Sequence, residues 1–349
     1  MSDWNTAWAW PWWSIMVTTS IANLIVSAVI LKRNLSRNSI LSTTSTTSAP
    51  SINSDLTYRR WMLLMGSIFT IVGAYRTVFV SQYGPQMAWF DSIANSSLLI
   101  RILAIFAEMS FSGLIAFVML KFNTYLPASE DSPNPHTEKF KKFFLTKSPY
   151  VLVICIFLAQ FFATSAVITK FTFLFAIEET LWSIGFLSVL PLAIIQLKRI
   201  IAVKDEETAQ RLQMLKISAI VILGWCIIYC SYGLFYHLPG IWTREIAKLQ
   251  VGYPEIKTGM SAIIDAFTIV HESKLYSDWG FGFLLWHSAY FSVCVWISIY
   301  LMQAPRPQES KSKIKIRSLQ GRKLTTFLII MAILAILAIL TLISIPAFT

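Results

Sequence analysis

LLIRILAIFAEMSFSGLIAFVML, residues 98–120, is an apolar run interrupted by two charged residues, Arg101 and Glu108. As a helix it is long enough to cross the hydrocarbon core of a bilayer, which needs about 20 residues. The two charges are seven residues apart and therefore share one helical face. A charge at membrane depth costs roughly 2.5–3.5 kcal/mol on insertion scales unless it faces protein or water. The run predicts a membrane helix with a buried charged centre.

The composition of the whole chain places it among membrane proteins. Of its 349 residues, 55% are hydrophobic and only 13% are charged, against about 25% charged in soluble domains. Runs of about 20 apolar residues predict an all-α polytopic fold with eight spans, a seven-helix bundle plus a peripheral eighth helix. The spans are Trp12 to Leu31, Trp61 to Val80, Ser97 to Leu120, Pro149 to Thr169, Phe171 to Leu197, Leu215 to Leu238, Trp279 to Gln303 and Leu324 to Ile345.

The distribution of basic residues predicts the orientation. Alternate loops hold 22 of the 29 Lys and Arg residues when Lys216, at the start of span 6, is counted with its loop, whereas the other loops hold five. Because cytosolic loops are enriched in Lys and Arg, we expect both termini outside. The net charge of +11 is then a topology signal. Membrane lipids are expected partners, and a nucleic-acid partner is not expected.

The segments outside the spans define the predicted domains. Residues 1–303 form the bundle, 304–323 a basic cytosolic linker, and 324–349 a peripheral helix whose uncharged surface could bind a protein partner. In the outer loop, residues 258–271 carry an apolar stripe of Ile263, Ile264, Phe267 and Val270. This pattern predicts an amphipathic helix. It would either cover the outer mouth of the charged site or rest on lipid head groups.

Seven polar residues, all in the outer half of the spans, are the candidate substrate-binding site. Since each helix would otherwise expose a charge to lipid, we expect them to face one outward site. The alternative is a set of ion pairs that only hold helices together. Two arginines against three glutamates leave one carboxylate in excess, which favours proton or cation handling. The candidates are Arg76, Arg101, Glu108, Glu178, Glu179, His237 and His287.

Several known membrane chemistries lack their sequence motifs in this chain. The interiors of spans 6, 7 and 8 contain no lysine for a retinal Schiff base, and H-E-x-x-H, Walker and G-x-S-x-G motifs are absent. The sequence assigns no cofactor and no metal. A metal held by Glu108, Glu178 or Glu179, His237 and His287 across four helices remains an open alternative. The stripe of Tyr229, Tyr232 and Tyr236 is typical of helix packing and an aromatic belt.

The pattern favours a transporter of a small anionic or zwitterionic solute, with arginines binding the anion and glutamates offering a route to proton coupling. Two alternatives stay open. One is a seven-helix-like receptor or a subunit of a larger membrane complex. The other is a membrane-embedded enzyme acting on a lipid or lipid-linked substrate, with a carboxylate or His287 as acid or base.

The orientation can be tested by cysteine labelling in sealed vesicles. We expect Ser48→Cys to react with impermeant maleimide from the cytosolic side and Ser277→Cys from the outer side, because the basic loops are cytosolic. All four native cysteines fall inside predicted spans, so background labelling of these cysteines should be low. The reverse labelling pattern would overturn the orientation.

Overall fold

The computed structural model describes residues 7–44, 50–126, 143–253, 256–268 and 271–307, with side chains described outside 37–54. Within these residues, seven helices are long and apolar enough to cross a membrane. In a bilayer the backbone must satisfy its own hydrogen bonds, which a helix does within one segment. The first seven predicted spans therefore appear as helices. The predicted eighth span and residues 308–323 of the linker lie outside the described residues.

The element bounds, in chain order, are as follows. The helices are α1 Trp10–Thr44, α2 Pro50–Val78, α3 Ser97–Tyr125, α4 Ser148–Thr169, α5 Phe173–Ile201, α6 Gln213–Tyr232, α7 Leu238–Val251, α8 Gly259–Ala266, α9 Phe281–Ala289 and α10 Val295–Leu301. Two π-helical segments, Gly233–His237 and Tyr290–Cys294, make α6–α7 and α9–α10 continuous. Shorter helices are Ile93–Asn95, Glu206–Arg211 and Tyr276–Trp279. The strands are β1 Ser81–Gln82, β2 Met87–Ala88 and β3 His271–Glu272.

The helices pack largely in chain order. Each of α1 to α5 packs on the next, and α10 closes back on α2, with further contact to α1 and α3. The hairpin between α4 and α5 is tight, as predicted, because Lys170 adopts a left-handed conformation (φ 62°) and its amide caps the carbonyl of Ala166. The central helix is α3, which contacts α2, α4, α5 and α10. Its buried face carries the charged residues of the predicted site.

The sixth span is longer than predicted. We placed its end at Leu238, but the helix runs on to Val251 through the π-helical segment. Pro239 does not end it, because the proline follows the π-helical segment, in which the N–H of Leu238 donates to the carbonyl of Gly233 and continues the helix. Trp242 then fixes α7 to α5 by donating its indole hydrogen bond to Thr180 (3.0 Å).

A small layer of loops closes the end of the bundle that was predicted to face outside. Strand β2 pairs antiparallel with β1 and parallel with β3. The amphipathic helix that was predicted over 258–271 is shorter in the structure, since α8 ends at Ala266 and His271 belongs to β3. Backbone pairing with Met87 holds His271 extended. The sequence pattern missed this because strands of two residues have too little periodicity to recognise.

A tryptophan cluster fixes this layer to the bundle. Trp89 is fully buried, with Trp13 stacked on it at 5.7 Å and Trp10, Trp12 and Trp279 around it. Aromatic pairs at such distances add about 0.5–1.5 kcal/mol each beyond burial. The loop after α2 is therefore bound to the first turn of α1 and to the short helix that precedes α9.

The close approach of α2 and α10 generates a stability prediction. A Cβ added at Gly66 would lie 2.4 Å from Cβ of Met302, whereas one at Gly224 meets nothing within 4 Å. We expect Gly66→Ala to destabilise the protein by roughly 1–3 kcal/mol through overpacking. The matched control Gly224→Ala should be neutral or slightly stabilising. Thermal unfolding in detergent measures both, and equal shifts would contradict this packing.

Candidate functional site

Four side chains from α3, α4 and α5 form one buried network, which we call the charge centre: Arg101, Glu108, Gln160 and Glu178. Arg101 and Glu108 form a two-pronged pair, with Nη1 to Oε1 at 3.2 Å and Nη2 to Oε2 at 2.9 Å. Nη1 also reaches Oε1 of Glu178 at 3.4 Å. The seven-residue spacing on α3 makes the first pair, and the helix packing brings in Glu178.

Gln160 completes the charge centre and was missed as a site residue. Its amide nitrogen donates to Oε2 of Glu108 (3.0 Å) and to the carbonyl of Ile156 (2.8 Å), while its oxygen accepts from Arg101. The signal available in the sequence was an amide at mid-depth of an otherwise apolar span. An amide carries donors and an acceptor without charge, so it bonds both members of the ion pair.

The charge centre is shielded from its surroundings. Arg101 is 2% exposed, Glu108 6% and Glu178 8%. Taking such ions out of water costs several kcal/mol each, which close pairing and hydrogen bonding must offset. Two carboxylates face one guanidinium, so the network holds one more acidic than basic group. The excess that we expected between arginines and glutamates is therefore concentrated within this network.

Arg76 lies beside the charge centre without an ion-pair partner among the described residues. Its Nη2 donates to the hydroxyl of Tyr83 (3.1 Å), and its guanidinium lies 4.9 Å from the ring centre of Phe291. Burial raises the pKa of Tyr83 above its ordinary value of 10.0, although Arg76 opposes the shift. The hydroxyl therefore stays protonated at neutral pH.

His287 takes a packing position. It is 2% exposed and donates from Nε2 to the backbone carbonyl of Arg76 (3.3 Å). Phe291 lies 4.4 Å and Trp12 5.3 Å from its ring. No carboxylate pairs with it in the described part of the chain. The structure therefore places His287 beside Arg76 and apart from the glutamates.

Glu179 and His237 form a second, more exposed pair. Nε2 of His237 lies 3.6 Å from Oε1 of Glu179, and Tyr229 donates to Oε2 at 3.2 Å. Because successive residues point about 100° apart on a helix, Glu178 faces the charge centre while Glu179 faces the sixth spanning helix. Gly233 permits the sixth spanning helix to approach α5 closely, since a Cβ there would lie 2.8 Å from Ser183 Oγ. The predicted single site is thus divided into neighbouring clusters.

The residues that the structure describes contain no group of three or more His, Cys, Asp or Glu side chains that could hold a metal ion. The four-helix metal alternative required Glu108, His237 and His287 to converge. Instead, His237 pairs with Glu179 and His287 packs among aromatic rings. The arrangement supports ion pairing and hydrogen bonding.

Helix α8 packs over the ends of α3 and α4 that were predicted to face outside. Ala266 contacts Leu98 and Val167, with Tyr83 and Phe267 packed alongside. Leu98 lies nearly one helical turn above Arg101, so this contact is directly outside the charge centre. Gln86 donates to the carbonyls of Asp265 (2.6 Å) and Thr268 (3.2 Å). We call α8 the cover, for its position over these helix ends.

Two lysines fasten the cover. Asp265 pairs with Lys257 at 2.6 Å and with Lys170 at 3.5 Å. Although partial burial acts to raise the pKa of Asp265, its bonds to Lys257 and Lys170 lower it below the ordinary value of 3.8. A carboxyl with a lowered folded-state pKa contributes stability above its unfolded pKa, and that contribution disappears as the pH falls through the folded value. The ion pairs of Asp265 with Lys257 and Lys170 are therefore intact at neutral pH.

Arg101 provides a direct test of the charge centre. Arg101→Ala should cost roughly 3–5 kcal/mol of stability, because it leaves Glu108 and Glu178 buried without their partner. Arg60→Ala, at an exposed position on α2, is the matched control and should change stability by less than about 0.5 kcal/mol. Unfolding in mixed micelles measures both. Equal small losses would show that Arg101 is not a buried partner.

The cover makes a separate prediction. Asp265→Asn should increase hydrogen exchange of residues 259–266 about three- to tenfold at pH 7, since partly exposed ion pairs contribute up to about 1 kcal/mol each. Wild-type protein should lose protection only below about pH 4 after correction for intrinsic exchange, because the carboxylate must be protonated. Asp205→Asn, on the opposite side of the bundle, should leave these residues unchanged. Unaltered exchange in Asp265→Asn would show that the lysines do not fasten α8.

Known proteins provide no further assignment of this site. Comparison with protein-family models, with curated proteins and with solved structures finds no match to the chain. The classification therefore depends on the helices themselves, seven of which are long and apolar enough to span a bilayer. On that evidence the chain is a multi-pass integral membrane protein.

Proposed function

We propose that this protein transports a small anionic or zwitterionic solute across its membrane, with proton coupling through the charge centre. The observation that carries the proposal is the combination of a buried network with one surplus carboxylate and a neighbouring arginine, Arg76, bonded only to neutral groups in the described structure. Arg76 would bind the anionic group of the solute. Glu178 or Glu108 would exchange the proton.

A charged network whose only role is to hold helices together is expected to pair all of its charges, because an unpaired buried ion costs several kcal/mol. Arg101 meets that expectation, but Arg76 does not. Ionisable residues in membrane interiors commonly mark solute or proton pathways. A carboxylate with an incomplete set of partners can take up a proton when its surroundings change. The incomplete pairing around Arg76 and Glu178 thus supports a binding role.

The surroundings of the charge centre support transport rather than free conduction. On the side predicted to be cytosolic, Phe111 lies within ring contact of Phe69, Phe186 and Trp225 at 5.1–6.4 Å. On the outer side, Tyr83 and α8 cover it. A transporter must close its binding site on each side in turn. Barriers on both sides of a polar centre fit that requirement.

The second candidate is a receptor-like protein or a subunit of a larger membrane complex. The bonding of Arg101 to Glu108, Glu178 and Gln160 favours it, since these contacts hold three helices together. The alternative of a lipid-modifying enzyme has less support. Its candidate acid or base, His287, lies among aromatic rings and bonds to a backbone carbonyl.

Transport can be measured with purified protein in liposomes. Labelled succinate, lactate and L-alanine serve as probes, with the outside of the liposomes acidified to drive proton-coupled uptake. We expect pH-dependent uptake of at least one probe, reduced at least tenfold by Arg76→Ala and unchanged by Arg60→Ala. Wild-type uptake that is absent for every probe, or equal reduction by both variants, would contradict the proposal.

A further inference from the structure

The first turn of α3 carries backbone donors that no described residue accepts. Ser96 is the N-cap residue of this helix and makes no side-chain capping bond, although an N-cap serine ordinarily accepts from the second or third amide of its helix. In the described part of the chain, the amides of residues 97–99 have no acceptor, whereas the amide of Ile100 donates to the carbonyl of Ser96 (3.0 Å). Three amides therefore point out of the helix end without a partner.

The side chains at this helix end are buried and equally unbonded. Ser96 is fully buried and Ser97 is 2% exposed, and neither hydroxyl has a hydrogen-bond partner among the residues that the structure describes. Since the Cα–Cβ bonds of a helix tilt toward its N-terminus, the hydroxyl of Ser97 lies beside the free amides. Buried donors without an acceptor are costly. This helix end is therefore suited to a ligand that accepts several hydrogen bonds.

Arg101 extends the same set of donors by one helical turn. It follows Ser97 by four residues, so the two share one face of α3 with Cβ atoms about 5–6 Å apart. The Nη atoms of Arg101 bond Glu108 and Glu178, but its buried Nε has no partner within the described chain. This free N–H and the positive end of the helix dipole both favour an anion.

Two features restrict which anion this helix end suits. The donors belong to little more than one helical turn, and α8 covers that turn through the contact of Ala266 with Leu98, so the ligand must be small. Glu108 and Glu178 already bond the guanidinium that would serve it, so a second negative charge on the ligand would be repelled. A monovalent anion of a single atom meets both conditions.

We propose that the first turn of α3 binds a halide ion such as chloride. Its ligands are the amides of residues 97–99, the hydroxyls of Ser96 and Ser97, and the Nε–H of Arg101. The site goes beyond the proposed transport function, because none of these groups is assigned to the solute or to its proton. A halide bound here accepts the unpartnered donors of the helix end and thereby stabilises the folded protein.

Replacing gluconate by chloride at constant ionic strength, with purified protein in detergent, tests the proposal. We expect chloride to slow hydrogen exchange of residues 97–100 severalfold and to raise the unfolding temperature, because it binds the folded state. Titration of the unfolding temperature with chloride gives the affinity. Ser97→Ala should weaken it about tenfold or more, since a hydrogen bond to an anion is lost. In gluconate this variant should be as stable as wild type, because its hydroxyl has no partner there to lose.

Ser298→Ala is the matched control. It removes a hydroxyl of α10 that is also fully buried and unpartnered in the described residues, so it should keep the full chloride effect. Equal weakening by both variants would contradict the site, since a general packing change would then explain it.

The remaining outcomes need no variant. Wild-type protein whose exchange and unfolding are the same in chloride and gluconate would overturn the proposal. Protection of residues 97–100 by lactate and not by chloride would assign this turn to a carboxylate and overturn the halide. These readouts measure binding alone, so their failure leaves the transport proposal standing, and absent uptake in liposomes leaves the halide site standing.

Discussion

The pairing of Arg101 with two glutamates is the interaction on which the bundle depends. A guanidinium and two carboxylates removed from water can be tolerated only while they remain together. Their side chains come from α3 and α5, and Gln160 adds α4. Separation of these helices would expose charges to lipid, where no other partner is available. The polar network therefore specifies which helices are neighbours, while apolar packing alone would permit many arrangements.

Polar contacts at the two ends of the bundle complete the frame around this centre. At one end, Asp265 joins α8 to Lys170 at the α4–α5 hairpin. At the opposite end, Asp55 of α2 pairs with Arg59 at 2.8 Å and accepts a hydrogen bond from Tyr125 of α3 at 2.6 Å. Between these ends, the aromatic rings around Phe111 lie on the side of the charge centre nearer to Asp55. Polar contacts at both ends thus hold the helices that surround the charge centre.

The sequence predicted the seven described spans well, because apolar length and the cost of exposed backbone determine them. It also identified Arg101, Glu108 and Glu178, since charges inside apolar runs are conspicuous. It could not separate Glu178 from Glu179, or His287 from the glutamates. Depth along a helix is readable from sequence, but the direction in which a side chain points depends on packing. The π-helical segment that orients His237 has no comparable sequence signal, and Gln160, being uncharged, did not stand out.

A double-mutant cycle between Arg101 and Glu178 tests the central claim most directly. Unfolding free energies are measured for Arg101→Gln, Glu178→Gln and the double variant, with the cycle between Arg101 and Glu179 as the matched reference. Since Arg101 contacts Glu178 at 3.4 Å while Glu179 pairs with His237, we predict a coupling energy of about 1–3 kcal/mol for the first cycle. The reference cycle should be additive within about 0.5 kcal/mol. Additive behaviour of Arg101 and Glu178 would contradict a shared buried charge centre.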